Sequence, residues 1–198
     1  LRYVPMAVLW DGKQYLAERL ALSLYIDASR DRMKDAPRPT WSVAGLGVSQ
    51  AHKIGNDAFV ALASVPQELA SIVRTASTPD GALQGTALLD GQFSADSLRS
   101  ALARNPAVVH IASHFKFTPG TEQDSFLLLG DGKPLSLYEL RTGRYDLQRV
   151  DLLTLSACET AVDGSGQGSE VEGLAVTAQR KGAKAVLASL WPVEDFST

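Results

Sequence analysis

Two residues suited to covalent catalysis stand at the ends of two apolar segments of the sequence. Residues 108–117 read Val-Val-His-Ile-Ala-Ser-His-Phe-Lys-Phe, and residues 150–160 read Val-Asp-Leu-Leu-Thr-Leu-Ser-Ala-Cys-Glu-Thr. His114 follows the apolar run of the first segment, and Cys158, the only cysteine of the chain, follows that of the second. A thiol is mostly protonated at neutral pH, but a nearby imidazole can take its proton and create a strong nucleophile. The two residues therefore predict nucleophilic catalysis at a cysteine.

Both apolar runs are typical of strands that are buried on both faces of a parallel sheet. Chemistry in α/β folds gathers at the carboxyl ends of such strands. If the two strands are neighbours, His114 and Cys158 face each other across one crevice. Backbone amides at Cys158 and near His114 would then be placed to stabilise an oxyanion.

Each residue also has a simpler interpretation that the sequence leaves open. A lone cysteine at the end of a buried strand is more often a small apolar residue than a nucleophile. His110 is a rival base, although a hydrogen-bonded core histidine is the better interpretation of it. A metal pair of His110 and His114 is disfavoured, because the HxxxH spacing binds zinc on a helix and this segment is predicted to be a strand. We expect His52 to face solvent.

Helical and extended patterns alternate along most of the chain, which favours an α/β fold with a mostly parallel sheet covered by helices on both faces. We expect one domain over residues 1–198. Residues 4–10 are predicted to be a strand, 15–26 extended or mixed, and 51–59 irregular. Further strands are predicted over 41–48, 86–89, 107–112, 125–129 and 183–190. Helices are predicted from Ser64 through Ala76, after a Ser94 cap, over 135–141 and over about 170–181.

Composition excludes several classes of function. The 198 residues carry a formal net charge of −3, which provides no basic field for nucleic acid. No apolar run approaches the roughly 20 residues that span a bilayer, and no cofactor or metal motif is complete. One cysteine excludes an internal disulfide, so a reducing, cytoplasmic setting is expected. The chain begins with Leu1 and stops beside a helix-capping pattern, so we expect a fragment truncated at both ends.

The segment after Cys158 is built from small residues. Residues 161–168 read Ala-Val-Asp-Gly-Ser-Gly-Gln-Gly, which predicts a poorly ordered loop with room for a substrate. Acidic residues lie near the expected crevice, and one of them would recognise a basic substrate side chain. The candidates for this pocket are Asp124, Asp163 and Glu170.

Several segments together resemble the CHAT domain, a caspase-like domain associated with tetratricopeptide repeats. The order of the two residues agrees, because caspases have a His about 50 residues before an Ala-Cys signature. The matching segments are Val-His-Ile-Ala-Ser-His-Phe at 109–115, Leu-Ser-Ala-Cys-Glu-Thr at 155–160, Glu-Gly-Leu at 172–174, Gly-Ala at 182–183 and Ser-Leu-Trp at 189–191.

The resemblance implies a caspase-hemoglobinase fold and a bacterial cysteine endopeptidase. It implies that His114 is the general base and Cys158 the nucleophile, with the backbone amides of Phe115 and Cys158 as oxyanion donors. The expected partners are a protein or peptide substrate and tetratricopeptide repeats in the same polypeptide. Caspase-like enzymes often have Gly after the catalytic His, where this chain has Phe115.

Two other functions remain open from the sequence. One is a non-catalytic protein-interaction module that keeps the caspase-like fold. The other is a different Cys-His acyl-transfer enzyme. A reactive thiol distinguishes both enzymes from the module, and a peptide substrate distinguishes the peptidase from the acyltransferase.

Overall fold

A computed structural model describes residues 6–20, 30–36, 38–118, 120–156 and 169–188. The helices are α1 (Leu16–Arg19), α2 (Val65–Ile72), α3 (Ala95–Ala103), α4 (Leu137–Thr142) and α5 (Ser169–Arg180), and 3₁₀ turns cover Met6–Val8, Asp31–Lys34 and Asp90–Gln92. The strands are β1 (Val43–Gly47), β2 (His52–Ile54), β3 (Asp57–Phe59), β4 (Val73–Arg74), β5 (Leu83–Leu89), β6 (Val108–Ala112), β7 (Phe115–Lys116), β8 (Phe126–Leu128), β9 (Pro134–Ser136), β10 (Leu152–Ser156) and β11 (Ala185–Ala188).

The main sheet of the described residues has six strands in the order β11-β10-β6-β1-β5-β4. All of its pairings are parallel. Helices α3 and α5 contribute to the core on one face of the sheet, and α2 packs on the opposite face. The predicted α/β class with a parallel sheet is therefore confirmed, and it is consistent with a caspase-like fold.

Two small antiparallel units lie beside the main sheet. Strands β2 and β3 form a hairpin, and β7, β8 and β9 form a three-stranded sheet. The β7 strand begins three residues after β6 ends, so the chain leaves the main sheet and enters the small one at once. This change of direction takes place at residues 113 and 114.

Two glycines of β1 let helix α2 lie unusually close to the sheet. A Cβ built on Gly45 would stand 3.1 Å from Leu69 Cδ2, and one built on Gly47 would stand 2.6 Å from Val65 Cγ1, both atoms of α2. Real Cβ atoms rarely approach other heavy atoms so closely, so a larger residue at either position would displace the helix. The side chains of α2 can therefore reach strands beyond β1.

Several predicted elements agree with the structure. Ser94 caps α3 by accepting a hydrogen bond from the backbone amide of Ser97. Strands β1, β5, β6, β8, β10 and β11 all lie within or around their predicted ranges, and α4 and α5 begin within two residues of theirs.

Four local predictions were wrong. Residues 51–59 are the β2-β3 hairpin rather than irregular, and His52 on β2 is half-buried, with its ring against Gly132. Helix α2 ends at Ile72 because Val73, which is fully buried, pairs with Leu83 as part of β4. Met6–Val8 forms a 3₁₀ turn in the described part of the predicted first strand.

Replacing Gly47 with Ala tests the close approach of α2. We expect the free energy of unfolding to fall by about 1–3 kcal/mol, because the added methyl group overpacks the contact with Val65 and Leu69. Urea denaturation measures the effect. Gly91→Ala is the matched control, since a Cβ there meets no atom within 4 Å. Equal stability of the two variants would contradict the packing argument.

Candidate functional site

Strands β6 and β10 are neighbours in the sheet and end at the same edge. Their parallel register pairs Val108 with Leu152 at one end and Ala112 with Ser156 at the other. His114 follows Ala112 by two residues, and Cys158 follows Ser156 by two. The adjacency of the two strands agrees with the prediction. Cys158 itself, and with it the predicted shared crevice, lies outside the described residues.

His114 is buried and its ring orientation is fixed. The side chain is 2% exposed, and its Nε2 lies 2.8 Å from the backbone oxygen of Val60. A carbonyl oxygen only accepts hydrogen bonds, so Nε2 carries the proton and donates it. In this neutral tautomer Nδ1 is the basic atom of the ring. The ring of Phe59 packs at 5.4 Å from the imidazole, at a tilt of 50°.

The β2-β3 hairpin and the residue that follows it therefore supply two contacts that orient His114. Asp90 holds the segment that leads into the hairpin. Its carboxylate accepts hydrogen bonds from Ser49 N at 2.6 Å, Ser49 Oγ at 2.7 Å and Gln50 N at 3.2 Å. Asp90 has a φ of +49°, which is uncommon for any residue other than glycine or asparagine. Asp90 and the hairpin were not predicted as part of the site.

The chain after His114 is held by the small antiparallel sheet. Leu128 N donates to the His114 carbonyl at 2.9 Å, and the Ser113 hydroxyl donates to the Leu128 carbonyl at 2.6 Å. Phe115 pairs with Leu127, and its side chain is buried in the main core. The bulk of the Phe115 side chain is thus accommodated in the core.

His110 belongs to a second buried polar cluster, on the side of the sheet that faces α2. Its Nδ1 lies 2.6 Å from Thr154 Oγ1, and its Nε2 lies 3.1 Å from Glu68 Oε1. The second contact has the distance of an ion pair without the angle of a good hydrogen bond. The arrangement agrees with a hydrogen-bonded core histidine. His110 and His114 have different partners in the described residues, which disfavours a shared metal ion.

Burial acts to raise the pKa of the Glu68 carboxyl, but other contacts outweigh it. The nearby side chains of His110 and Ser156 favour the charged carboxylate and bring the pKa below its ordinary value of 4.5. The native fold therefore favours the ionised carboxylate.

The family model for the CHAT domain matches residues 1–198, the whole chain. The chain belongs to the CHAT domain family. None of the curated proteins matches it significantly. No helix among the described residues is long and apolar enough to cross a membrane.

One predicted acidic residue of this CHAT domain lines a surface cavity. Asp124 borders a cavity of about 510 Å³ together with Asp57, Lys116 and Glu139. Lys116 forms an ion pair with Asp57, so the cavity keeps an acidic character. Lys116 is two residues from His114, which puts the cavity beside β7, the strand that follows the histidine.

The other two predicted pocket residues are not brought to this cavity by the described structure. Asp163 and the whole predicted loop at 161–168 lie outside the described residues. Glu170 lies in the first turn of α5, and its side chain lies outside the described part.

Substitutions of Asp90 test how the segment that leads into the hairpin is held. We expect Asp90→Ala to lower the free energy of unfolding by about 1–3 kcal/mol, because three donors lose their acceptor. Asp90→Gly removes the same acceptor but tolerates the positive φ, so it should cost less than Ala. Asp90→Asn retains an acceptor and suits this backbone, so it should stay closest to wild type. Urea denaturation ranks the variants. A loss of unfolding free energy in Asp90→Asn as large as that in Asp90→Ala would contradict the role of Asp90 as an acceptor.

The lowered pKa of Glu68 predicts a stability difference that depends on pH. A carboxyl whose pKa is depressed in the native state contributes fully above its ordinary value and loses that contribution as the pH falls through the native value. The stability gap between wild type and Glu68→Gln should thus be largest above pH 4.5 and should narrow below it. Urea denaturation across this range measures the gap. The control is Glu122→Gln, whose partly exposed ion pair with Arg141 should give a small gap. A stability difference between wild type and Glu68→Gln that grew as the pH fell would contradict the prediction.

Proposed function

We propose that this CHAT domain is a cysteine endopeptidase of caspase-like type, with His114 as general base and Cys158 as nucleophile. The observation that carries the proposal is the burial, hydrogen bonding and position of His114. The ring is buried, its Nε2 proton is committed to the Val60 carbonyl, and it follows the strand next to the one that leads to Cys158. A histidine held in one tautomer at the carboxyl edge of a parallel sheet suits proton transfer from a nucleophile.

In the proposed reaction, His114 Nδ1 takes the proton of the Cys158 thiol. The thiolate attacks the carbonyl carbon of the scissile peptide bond, and the oxyanion accepts hydrogen bonds from the backbone amides of Phe115 and Cys158. The tetrahedral intermediate collapses to a thioester as the C–N bond breaks, and the leaving amine takes the proton from His114. Water, deprotonated by His114, then hydrolyses the thioester and restores the thiol.

The Val60 carbonyl supports the charged form of the base as well as its orientation. When His114 is protonated, its Nε2–H becomes a charge-assisted donor, and such hydrogen bonds are stronger than neutral ones. The stabilisation is largest where water is excluded, and the His114 side chain is almost completely buried. A thiolate–imidazolium pair is thereby favoured.

For the substrate, we propose a peptide segment with a basic side chain. Asp124 borders the cavity next to β7, and Asp57 and Glu139 leave that cavity with more negative than positive charge despite Lys116. Asp163 and Glu170 remain candidates for the same role. Tetratricopeptide repeats in the same polypeptide are the proposed source of regulation, in a cytoplasmic setting.

The burial of His114 also favours a second candidate, a non-catalytic interaction module. A histidine that is 2% exposed and packed on Phe59 has the surroundings of a structural residue. In such a module Cys158 would be an ordinary buried thiol, and the loss of His114 would change the stability of the fold without changing thiol chemistry.

Alkylation by iodoacetamide distinguishes the two candidates, since Cys158 is the only thiol of the chain. For a peptidase, we expect folded Cys158 at about pH 6 to react at least about tenfold faster than the urea-unfolded chain, because the thiolate is the reacting form. His114→Ala should remove this acceleration, and Arg104→Ala, at an exposed position after α3, is the control that should keep it. Mass spectrometry measures the rates.

The interaction module predicts the opposite pattern. Cys158 would react no faster than in the unfolded chain, and His114→Ala would change nothing, which would end the assignment as an enzyme. A peptide library, with Cys158→Ala as its control, then separates a peptidase from another acyl-transfer enzyme.

A further inference from the structure

The buried cluster around His110 lies on the same rows of the sheet that lead to the proposed dyad. The pairing of β1, β6 and β10 is in register, so residues at equivalent positions form rows across the three strands. Successive residues of a strand point to opposite faces, so every second row lies on the face that α2 covers. Three rows lie on this face, and the last two of them are Gly45, His110 and Thr154, followed by Gly47, Ala112 and Ser156.

Glu68 of helix α2 contacts both rows. Its carboxylate lies 3.1 Å from His110 Nε2 in the first row, and the Ser156 side chain in the second row is near enough to help lower the pKa of that carboxyl. The closeness of α2 to Gly45 and Gly47 makes this reach possible. The side chains of Glu68 and His110 are 17% and 7% exposed, so the contact is largely shielded from water.

Ser156 joins this cluster to the segment that carries the base. Its side chain is near enough to Glu68 to help lower the pKa of that carboxyl, while its backbone oxygen accepts a hydrogen bond from Ser113 N at 3.2 Å. Ser113 directly precedes His114, and Ser156 is two residues before Cys158. Ser156 is thus linked to helix α2, to the residue before His114 and, along the chain, to Cys158.

Stability alone is a weak explanation for a charged cluster in this place. Burying an ion pair costs desolvation energy that apolar residues of similar volume avoid, and such replacements are often neutral or stabilising. A polar cluster is, however, directional, and it fixes side chains and strand ends in one arrangement. Catalysis needs such precision, because a displacement of about 1 Å can cost about 100-fold in rate.

We propose that Glu68 and His110 are positioning residues for the proposed peptidase: acting through Ser156 and Thr154, they hold the end of β10 against β6 and so set where Cys158 lies relative to His114. The inference rests on the proposed function. The proposed effect of both residues is on the placement of the nucleophile.

The test uses the rate constant for iodoacetamide alkylation of Cys158 in the whole folded chain, measured well below the melting temperature of each variant. We expect Glu68→Ala to lower it by about tenfold or more. Glu68→Gln, which keeps oxygen and nitrogen atoms for the same contacts, should recover most of the rate. Ser156→Ala should lower the rate with little loss of stability, and it serves as the second variant if Glu68→Ala does not fold.

Leu69→Ala is the matched control for a purely structural role. Leu69 is the next residue of the same helix, is 3% exposed and packs on Gly45 and Gly47, so its truncation destabilises α2 without removing the polar cluster. We expect its alkylation rate to stay within about twofold of wild type despite the cavity it creates. An equal slowing in Leu69→Ala and Glu68→Ala would overturn the positioning role.

Wild type and His114→Ala, measured beside these variants, separate the two proposals. If Cys158 is accelerated and depends on His114, while Glu68→Ala and Ser156→Ala leave the rate unchanged, the positioning role is wrong and the peptidase proposal stands. If wild type shows no acceleration over the unfolded chain, the proposed function fails and the positioning role fails with it.

Discussion

The in-register parallel pairing of β6 with β10 is the constraint on which the arrangement of the candidate site depends. It brings residues that are 44 positions apart in sequence to the same level of one sheet, from the pair Val108 and Leu152 to the pair Ala112 and Ser156. A shift of one residue would turn every following side chain to the opposite face. Apolar residues of the two strands are buried in the main core, so burial fixes the register and the register fixes where both chains leave the sheet.

The face of the sheet next to α2 shows how packing and polar contacts support each other. Glycines on β1 bring the helix close, and the closeness lets Glu68 reach past β1 to His110 and Ser156. A larger residue on β1 would move the helix outward and lengthen these contacts, leaving charged and polar atoms buried without their partners. Leaving such atoms buried without partners costs more folding free energy than losing the same contacts where water can replace them.

The sequence predicts the periodic parts of the fold well. The apolar runs of β6 and β10, the Ser94 cap of α3 and the alternation of helices and strands follow from local rules, and each agrees with the structure. Helix α2 shows where such rules end, since Leu69, Ile72 and Val73 have helical spacing but Val73 pairs with β5 instead. Tertiary pairing overrides propensity there.

The parts of the candidate site that the sequence does not predict are held by backbone atoms. His114 is oriented by the carbonyl of Val60, and every residue type has such a carbonyl, so no sequence pattern marks it. The short strands β2 and β3 lack a clear alternation, and Asp90 acts on residues 41 and 40 positions away. Pattern analysis finds the side chains that could do chemistry, but it does not find the loops that orient them.

Orientation of a base by a backbone carbonyl has a consequence for how the site responds to change. A carboxylate partner is removed by one substitution, whereas the Val60 carbonyl stays in the chain whatever side chain is present. Its position depends instead on the hairpin, and the hairpin depends on Asp90 and on the packing of Phe59 against Phe126. The tautomer of His114 is therefore a property of the folded loops around it, and substitutions that loosen those loops would reach the base without contacting it.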